Sequence, residues 1–392
     1  TDRPAVPPHP PDPAAVAAAV SLLAAAHRPV VYAGGGVVHA AASAELLALA
    51  ERTRTPVVTT LMGRGCFPDD HPLALGMPGM HGRYVATTAL QRADLLLAVG
   101  ARFDDRVTGD PATFAPRARV VHVDVDPSEI GKVRVPEVAV VGDARDVLSR
   151  MLEVWGSRPA PERARWLGTL RRWARERPLR YTQTADGPIK PQFVVEELHR
   201  LTGGEAIVVA GVGQHQMWTS QFWRFRRPRS WINSGGLGTM GFALPAAIGA
   251  KVGRPDELVY AIDGDGCFQM TMQELLTATH ERIPVKLAVL NNRHYGMVKQ
   301  WQELFYRGRL SSVHLGDRWP DYVGLARSMG CVALRAETPE EVETVIAASL
   351  AVDDRPVLVE FVVDPDEMLW PMVVAGGSND RILTGPADLV AG

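Results

Sequence analysis

Leu258-Val259-Tyr260-Ala261-Ile262-Asp263-Gly264-Asp265-Gly266 is an apolar run that ends in two acidic residues and two glycines, and a helix-like stretch, Phe268 to Arg282, follows it. Asn292 stands 27 positions after Asp265, at the exit of a second apolar run, Val285 to Leu290. That interval holds one crossover helix and a return strand, so the pattern predicts a parallel pair whose carboxyl ends carry Asp265 and Asn292 side by side. The glycines let backbone approach a ligand closely, and free amides at a helix start favour phosphate. A carboxylate oxygen and an amide oxygen are hard ligands suited to Mg²⁺, which fills its octahedral shell with diphosphate oxygens, a backbone carbonyl and water. Gly-Asp-Gly alone is an ordinary turn string; the spacing to Asn292 is what points to chemistry.

The same grammar extends outward. Around this pair, Ala206 to Val212 and Pro356 to Val363 read as further strands of one α/β set. Toward the start, Ala14 to Ala26 reads as a helix, followed by Pro29-Val30-Val31-Tyr32-Ala33 and the glycine turn Gly34-Gly35-Gly36. Pro56 to Thr60, Ala93 to Gly100, Ala118 to Asp126 and Val138 to Gly142 continue the alternation. Runs this continuous suit parallel sheets covered on both faces. The fold class expected is α/β, with two doubly wound, mostly parallel domains over 1–155 and 191–392. Between them, 156–190 is dense in Arg and Pro and reads as a helical linker, its charges a solvated face more readily than a nucleic-acid patch. Ligands in such folds sit beyond the carboxyl ends of the strands.

The 392 residues are 46% hydrophobic and 22% charged, a globular composition large enough for two or three domains. Lys plus Arg number 42 and Asp plus Glu 44, giving a net charge of -2, so no global electrostatic footprint for nucleic acid or membrane is present. Cys66, Cys267 and Cys331 lie far apart, which excludes a disulfide framework or a Cys-rich zinc site and fits a reducing compartment. No signal peptide and no apolar run of roughly 18 residues is found, so the expectation is a soluble, cytoplasmic protein. The Pro-rich opening, Pro7-Pro8-His9-Pro10-Pro11, reads as a linker.

The paired motif resembles that of thiamine diphosphate enzymes. Its surroundings, Gly264-Asp265-Gly266-Cys267-Phe268-Gln269-Met270-Thr271-Met272-Gln273-Glu274-Leu275 and Leu290-Asn291-Asn292-Arg293-His294-Tyr295-Gly296-Met297-Val298-Lys299-Gln300-Trp301, are similar to the large catalytic subunit of acetohydroxyacid (acetolactate) synthase. So are Val212-Gly213-Gln214-His215-Gln216-Met217-Trp218 and Ser234-Gly235-Gly236-Leu237-Gly238-Thr239-Met240-Gly241-Phe242. In the first domain the likeness runs through Gly79-Met80-His81-Gly82, Gly100-Ala101-Arg102-Phe103-Asp104-Asp105-Arg106 and His122-Val123-Asp124-Val125-Asp126. It covers nearly the whole chain.

The resemblance implies that Asp265 and Asn292 ligate Mg²⁺ by side chain and His294 by its main-chain carbonyl. It places Val212, Gly213, Gln214, His215, Gly238, Gly296 and Val298 around thiamine diphosphate, with Met217, Gly235, Gly236, Gly264, Gly266 and Cys267 as neighbours from the same motifs. Met240 would wedge the cofactor into its bent form, where an isolated methionine would pass for core. Met297 and Trp301 would flank the substrate entrance. The first domain resembles an FAD-binding domain, so Gly34, Gly35, Gly36, Met80, His81, Gly100, Arg102 and Asp104 would meet the dinucleotide, and Arg106 would close over flavin or substrate carboxylate. Asp124 and Asp143, at strand ends, are positioned to accept from ribose hydroxyls.

Two departures stand out: Ala210-Gly211 where Thr-Asp is common in the family, and Cys267 where Ser is common. A third concerns extent. The family's activating Glu sits on an N-terminal pyrimidine-binding domain, and no Glu here matches it, so the chain is expected to begin at the linker after that domain and to lack activity alone. The expected reaction is decarboxylation of pyruvate and carboligation to pyruvate or 2-ketobutyrate in branched-chain amino-acid synthesis. Partners are 2-keto acids, further copies in a homodimer or tetramer, and a regulatory subunit. Competing readings are an FAD-dependent pyruvate oxidase-like enzyme and a non-catalytic cofactor-binding subunit. A Rossmann dehydrogenase is disfavoured because Gly34-Gly35-Gly36-Val37-Val38-His39 lacks the G-x-G-x-x-G fingerprint.

Overall fold

A computed structural model describes residues 10–316 and 320–390. Residues 7–9 of the expected linker lie outside the described residues. The chain divides into two compact units. Unit 1 comprises the described residues up to Leu179 together with Arg226–Pro228 and Pro371–Gly385; unit 2 comprises Arg180–Phe225, Arg229–Trp370 and the described residues from Pro386.

In unit 1 the strands are β1 (Pro29–Ala33), β2 (Val57–Thr59), β3 (Ala74–Gly76), β4 (Leu95–Val99), β5 (Arg119–Asp124) and β6 (Val138–Val141). They form a six-stranded sheet in the order β3-β2-β1-β4-β5-β6, with every pairing parallel. All five residues of β1 and of β4 are buried, as expected of strands covered on both faces. The Ala-rich helix Pro13–Ala25 starts where Asp12 accepts from the Ala14 N–H at 3.0 Å and proline takes the first helical position. Part of the Arg-rich connector packs here: the helix Ala164–Glu176 sinks Trp166, Leu167 and Leu170 into this core, and Trp166 Nε1 donates to the Pro29 carbonyl at 3.1 Å. Arg163, just ahead of it, is buried and donates to the carbonyls of Leu23 and Thr53 and to the Thr55 hydroxyl.

Unit 2 contains β7 (Ile207–Ala210), β8 (Trp231–Asn233), β9 (Val259–Gly264), β10 (Lys286–Asn291), β11 (Val332–Ala336) and β12 (Val357–Val362). Their order is β11-β12-β10-β9-β7-β8, again with parallel pairings throughout. Two doubly wound α/β units are therefore present, wholly rather than mostly parallel. Strand order reverses between β1 and β4 in unit 1 and between β7 and β9 in unit 2, and a crevice opens at such a reversal, beyond the strand ends.

The sequence patterns missed three strands. β3 and β8 are only three residues each, and β11 is half-exposed at the sheet edge with Arg335 in it. The expected continuous helix Phe268 to Arg282 is also corrected: helices Asp265–Phe268 and Glu274–His280 are separated by turns over 269–273, where the Thr271 hydroxyl donates to the Gly241 carbonyl at 2.8 Å. Among the described residues no helix is long and apolar enough to cross a membrane.

Candidate functional site

At the β7/β9 reversal of unit 2 lies a cavity of about 280 Å³ lined by Val212, Gly213, Gln214, His215, Met240, Gly264, Asp265, Gly266, Cys267, Asn292, His294, Gly296, Met297 and Val298, among others. β9 delivers Asp265 and β10, its parallel neighbour, delivers Asn292. Both are buried. Asp265 Oδ1 accepts from the Gly266 N–H at 2.9 Å and Oδ2 from the Arg293 N–H at 2.7 Å. Burial nonetheless pushes its carboxyl up to about 7, with the two amides opposing and nearby Asp263 reinforcing the rise. A buried carboxylate in that condition, facing a cavity beside an amide oxygen, is a fitting hard-cation ligand. Asn292 is held by its ends: Oδ1 accepts from the His294 N–H at 3.0 Å, and Nδ2 reaches Gln214 Oε1 at 3.5 Å.

Gln300, not singled out from the sequence, extends this line. Its Nε2 donates to the Leu369 carbonyl at 3.0 Å, and its Oε1 accepts from the Leu369 N–H at 2.8 Å and from Gln214 Nε2 at 2.9 Å. A main-chain clamp thus sets Gln300, which sets Gln214, which sets Asn292. Only a polar residue one turn beyond Gly296 hinted at it in the sequence. Asp263 was also passed over, as the last residues of an apolar run read as strand exit; it is fully buried, with His215 Nε2 3.4 Å from its Oδ1. The two departures meet at this spot. A Cβ on Gly211 would fall 2.0 Å from Asp263 Oδ1 and 2.6 Å from Cys267 Sγ. Burial raises the Cys267 thiol well above the usual range, and the adjacent Asp263 adds to it.

Some expected residues stand away from this cavity's lining. Met217 lies on the helix Gln214–Phe222, Gly235, Gly236 and Gly238 belong to the exposed turn in which the Gly238 N–H donates to the Ser234 carbonyl at 3.0 Å, and Trp301 packs edge-on against Phe305 with centroids 5.3 Å apart.

In unit 1 the β1/β4 reversal brings the glycine turn onto Gly100. The Gly34 N–H donates to the Val99 carbonyl at 2.9 Å and the Gly36 N–H to the Gly100 carbonyl at 3.1 Å. A Cβ on Gly36 would lie 2.6 Å from Gly100 Cα, so two backbones touch where a larger residue could not stand. Gly35 lies within the turn, whose helix Gly35–His39 starts at Gly34. Strand order and bare backbone together suit a dinucleotide phosphate. Around them, the Met80 N–H donates to the Arg106 carbonyl at 2.7 Å, and His81 is buried against the Pro371 backbone. Arg102 pairs with Asp104, which also caps the helix Asp105–Thr108, while Arg106 pairs with Asp105 at 2.7 Å in solvent. Asp124 Oδ1 accepts from the Asp126 N–H, and Asp143 Oδ1 from the N–H groups of Arg145 and Asp146, so one oxygen of each already serves a turn or a helix cap.

Comparison with known proteins agrees with this geometry. The model for the thiamine pyrophosphate enzyme central domain matches residues 16–151, and that for the C-terminal TPP binding domain matches residues 211–361. The chain belongs to the thiamine pyrophosphate enzymes. Within them it is a homologue of acetolactate synthase large subunits. It is 53% identical over 351 residues to the acetolactate synthase large subunit of Corynebacterium glutamicum, covering 88% of this chain and 56% of that one. The isozyme 3 large subunit of Escherichia coli is 44% identical over 351 residues, covering 88% and 61%, and the probable large subunit of Methanocaldococcus jannaschii is 45% identical over 353 residues, covering 88% and 59%. The chain thus spans little more than half the length of the curated relatives it matches.

Proposed function

We propose that this chain carries the FAD-binding and diphosphate-binding parts of an acetolactate synthase large subunit. The observation that carries the reading is the placement of Asp265 and Asn292 at adjacent strand ends on one cavity at the β7/β9 reversal. Asp265, Asn292 and the His294 carbonyl would hold Mg²⁺, and the Gln300–Gln214 line would keep the Asn292 oxygen turned to the metal. Thiamine diphosphate, when bound, supplies the electron sink for decarboxylation of pyruvate and carboligation to pyruvate or 2-ketobutyrate. Met240, Met297 and Val298 line the cavity and would supply apolar wall beside the reacting carbon, with Met240 the residue that would hold the cofactor bent. FAD would lie at the β1/β4 reversal over Gly34, Gly36 and Gly100, in a structural role, because the net reaction transfers no electrons. The setting is cytoplasmic, as a homodimer or tetramer with a regulatory subunit as partner.

Product analysis with pyruvate, thiamine diphosphate, Mg²⁺ and FAD tests the reading. It is run on this chain alone and supplemented with the region of a relative that this chain does not align with. Acetolactate supports the proposal; hydrogen peroxide or acetyl phosphate without acetolactate overturns it.

A further inference from the structure

We propose that Glu360 is a positioning residue for the metal site: it fixes the Asn291 side chain, and through Asn291 it holds the Arg293 N–H on the Asp265 carboxylate. The inference rests on the reading of Asp265 as a Mg²⁺ ligand, but Glu360, Asn291 and Arg335 themselves stand outside the cavity lining. Glu360 interrupts the apolar strand β12 and is 1% exposed. Parallel register sets Arg335 of β11, Glu360 of β12 and Val289 of β10 abreast, and Asn291, two residues past Val289, projects from the same face. Glu360 Oε2 accepts from Arg335 Nε at 2.8 Å, and its Oε1 accepts from Asn291 Nδ2 at 2.6 Å.

A buried ion pair is a weak source of stability, because desolvation of both charges offsets their attraction and an apolar pair of similar volume would hold the sheet as well. What the carboxylate adds is direction. An amide can turn end for end with little change of shape, but with Nδ2 engaged by Glu360, Asn291 must present Oδ1 to the turn that follows β10. There Oδ1 accepts from the Arg293 N–H at 3.2 Å, and the same N–H donates to Asp265 Oδ2 at 2.7 Å, a three-centre bond shared by two acceptors. Were Asn291 reversed, its Nδ2 would face that N–H, donor against donor, and push Arg293 off Asp265. The turn also carries Asn292, whose Oδ1 accepts from the His294 N–H at 3.0 Å, so one displacement disturbs both side chains assigned to the metal. Arg335 balances the charge of Glu360, and Asp321 Oδ1, 2.9 Å from Arg335 Nη2, holds the outer end of the line.

Glu360→Gln is the discriminating variant. The charged Arg335 claims the new amide's oxygen, which leaves its nitrogen facing Asn291 and invites the reversal. Two quantities are read on the full chain. Deuterium exchange of the Arg293 amide, resolved by mass spectrometry without metal or cofactor, reports the turn; Mn²⁺ binding with thiamine diphosphate present, followed by electron paramagnetic resonance, reports the ligands. In Glu360→Gln, Arg293 is expected to exchange about tenfold faster while the amides of Leu287 and Val289 inside β10 keep their rates, and Mn²⁺ to bind about tenfold less tightly. Adding Asn291→Ala should make neither worse, because Glu360 acts through Asn291. If circular dichroism shows Glu360→Gln unfolded, Glu360→Met with Arg335→Met, which leaves no unpaired charge, takes its place under the same expectations. Unaltered Arg293 exchange, equal acceleration throughout β10, or unaltered Mn²⁺ affinity overturns the proposal and leaves Glu360 a sheet ion pair. Failure of the unaltered chain to bind Mn²⁺ would instead overturn the metal reading of Asp265, with Arg293 exchange still deciding whether Glu360 sets this turn.

Discussion

The main-chain N–H of Arg293 donates to Oδ2 of Asp265 at 2.7 Å, tying the exit of β10 to the carboxylate at the exit of β9. Arg293 adopts φ +62° to do so, a left-handed conformation costing a non-glycine residue about 1 kcal/mol or more. With the Gly266 N–H on its other oxygen, Asp265 is oriented from both sides and retains lone pairs for a cation.

Asp265→Asn puts an amide nitrogen against one of those two N–H donors and removes the charge. Mg²⁺-dependent binding of thiamine diphosphate is expected to weaken by about 100-fold or more, read by titration calorimetry. Folding stability should not fall in parallel, since burial already pushes this carboxyl up to about 7. Unchanged cofactor affinity would remove Asp265 from the metal site.

Contact between Gly36 and Gly100 yields a prediction with an internal control. A methyl on Gly36 must displace the Gly100 backbone, which it would approach to 2.6 Å, whereas a methyl on Gly35 meets Met62 Cβ at 3.3 Å, a contact relieved by a far smaller shift. Gly36→Ala is expected to cost about 2–3 kcal/mol in urea unfolding and to abolish flavin retention, and Gly35→Ala less than about 1 kcal/mol. Equal effects would show that the close approach does not govern the turn.

How much could be read beforehand follows from the physics of each element. Strands buried on both faces, such as β4, β9 and β10, advertise themselves as unbroken apolar runs, and their exits exposed Gly100, Asp265 and Asn292. β8, with three residues, is too short to show a period, and Arg335 in β11 is drawn in by Glu360, a partner 25 residues away whose Oε2 accepts from its Nε at 2.8 Å. The same holds for the site. Asp265 and Asn292 belong to one local strand-helix-strand unit, whereas Gln300 acts on Asn292 through Gln214 and Leu369, and Asp263 meets His215 and Gly211 across strands. Alignment of β7 with β9 creates the second of these meetings, the first joins segments beyond β7, β10 and β12, and no spacing within one segment announces either.

Gln300 is 1% exposed and fully engaged by Leu369 and Gln214, so Gln300→Met, similar in volume, leaves both Leu369 groups and the Gln214 amide without their partner. A loss of about 1–3 kcal/mol in stability is expected. The informative reading is cofactor affinity: with Asn292 freed to turn, Mg²⁺-dependent thiamine diphosphate binding should weaken by about tenfold although Gln300 touches neither group. A stability loss with unaltered affinity would make Gln300 purely structural.

His81 contributes to the acid sensitivity of unit 1. It is 5% exposed, and burial lowers its pKa from 6.5 to about 4, only partly offset by the Pro371 backbone. Because the folded form refuses a proton that the unfolded chain accepts at about 6.5, the unfolded state binds more protons between those values, and stability falls as pH drops through that window. Above 6.5 both states are neutral at this group and its contribution is constant; below 4 both are protonated and no further loss accrues. A shift of this size corresponds to about 3 kcal/mol at full development. His81→Gln, which cannot titrate, should therefore lose about 2–3 kcal/mol less than the unaltered chain between pH 7 and pH 4 in urea unfolding followed by tryptophan fluorescence. Parallel losses in both proteins would mean that His81 takes up its proton in the folded state and that acid unfolding begins elsewhere.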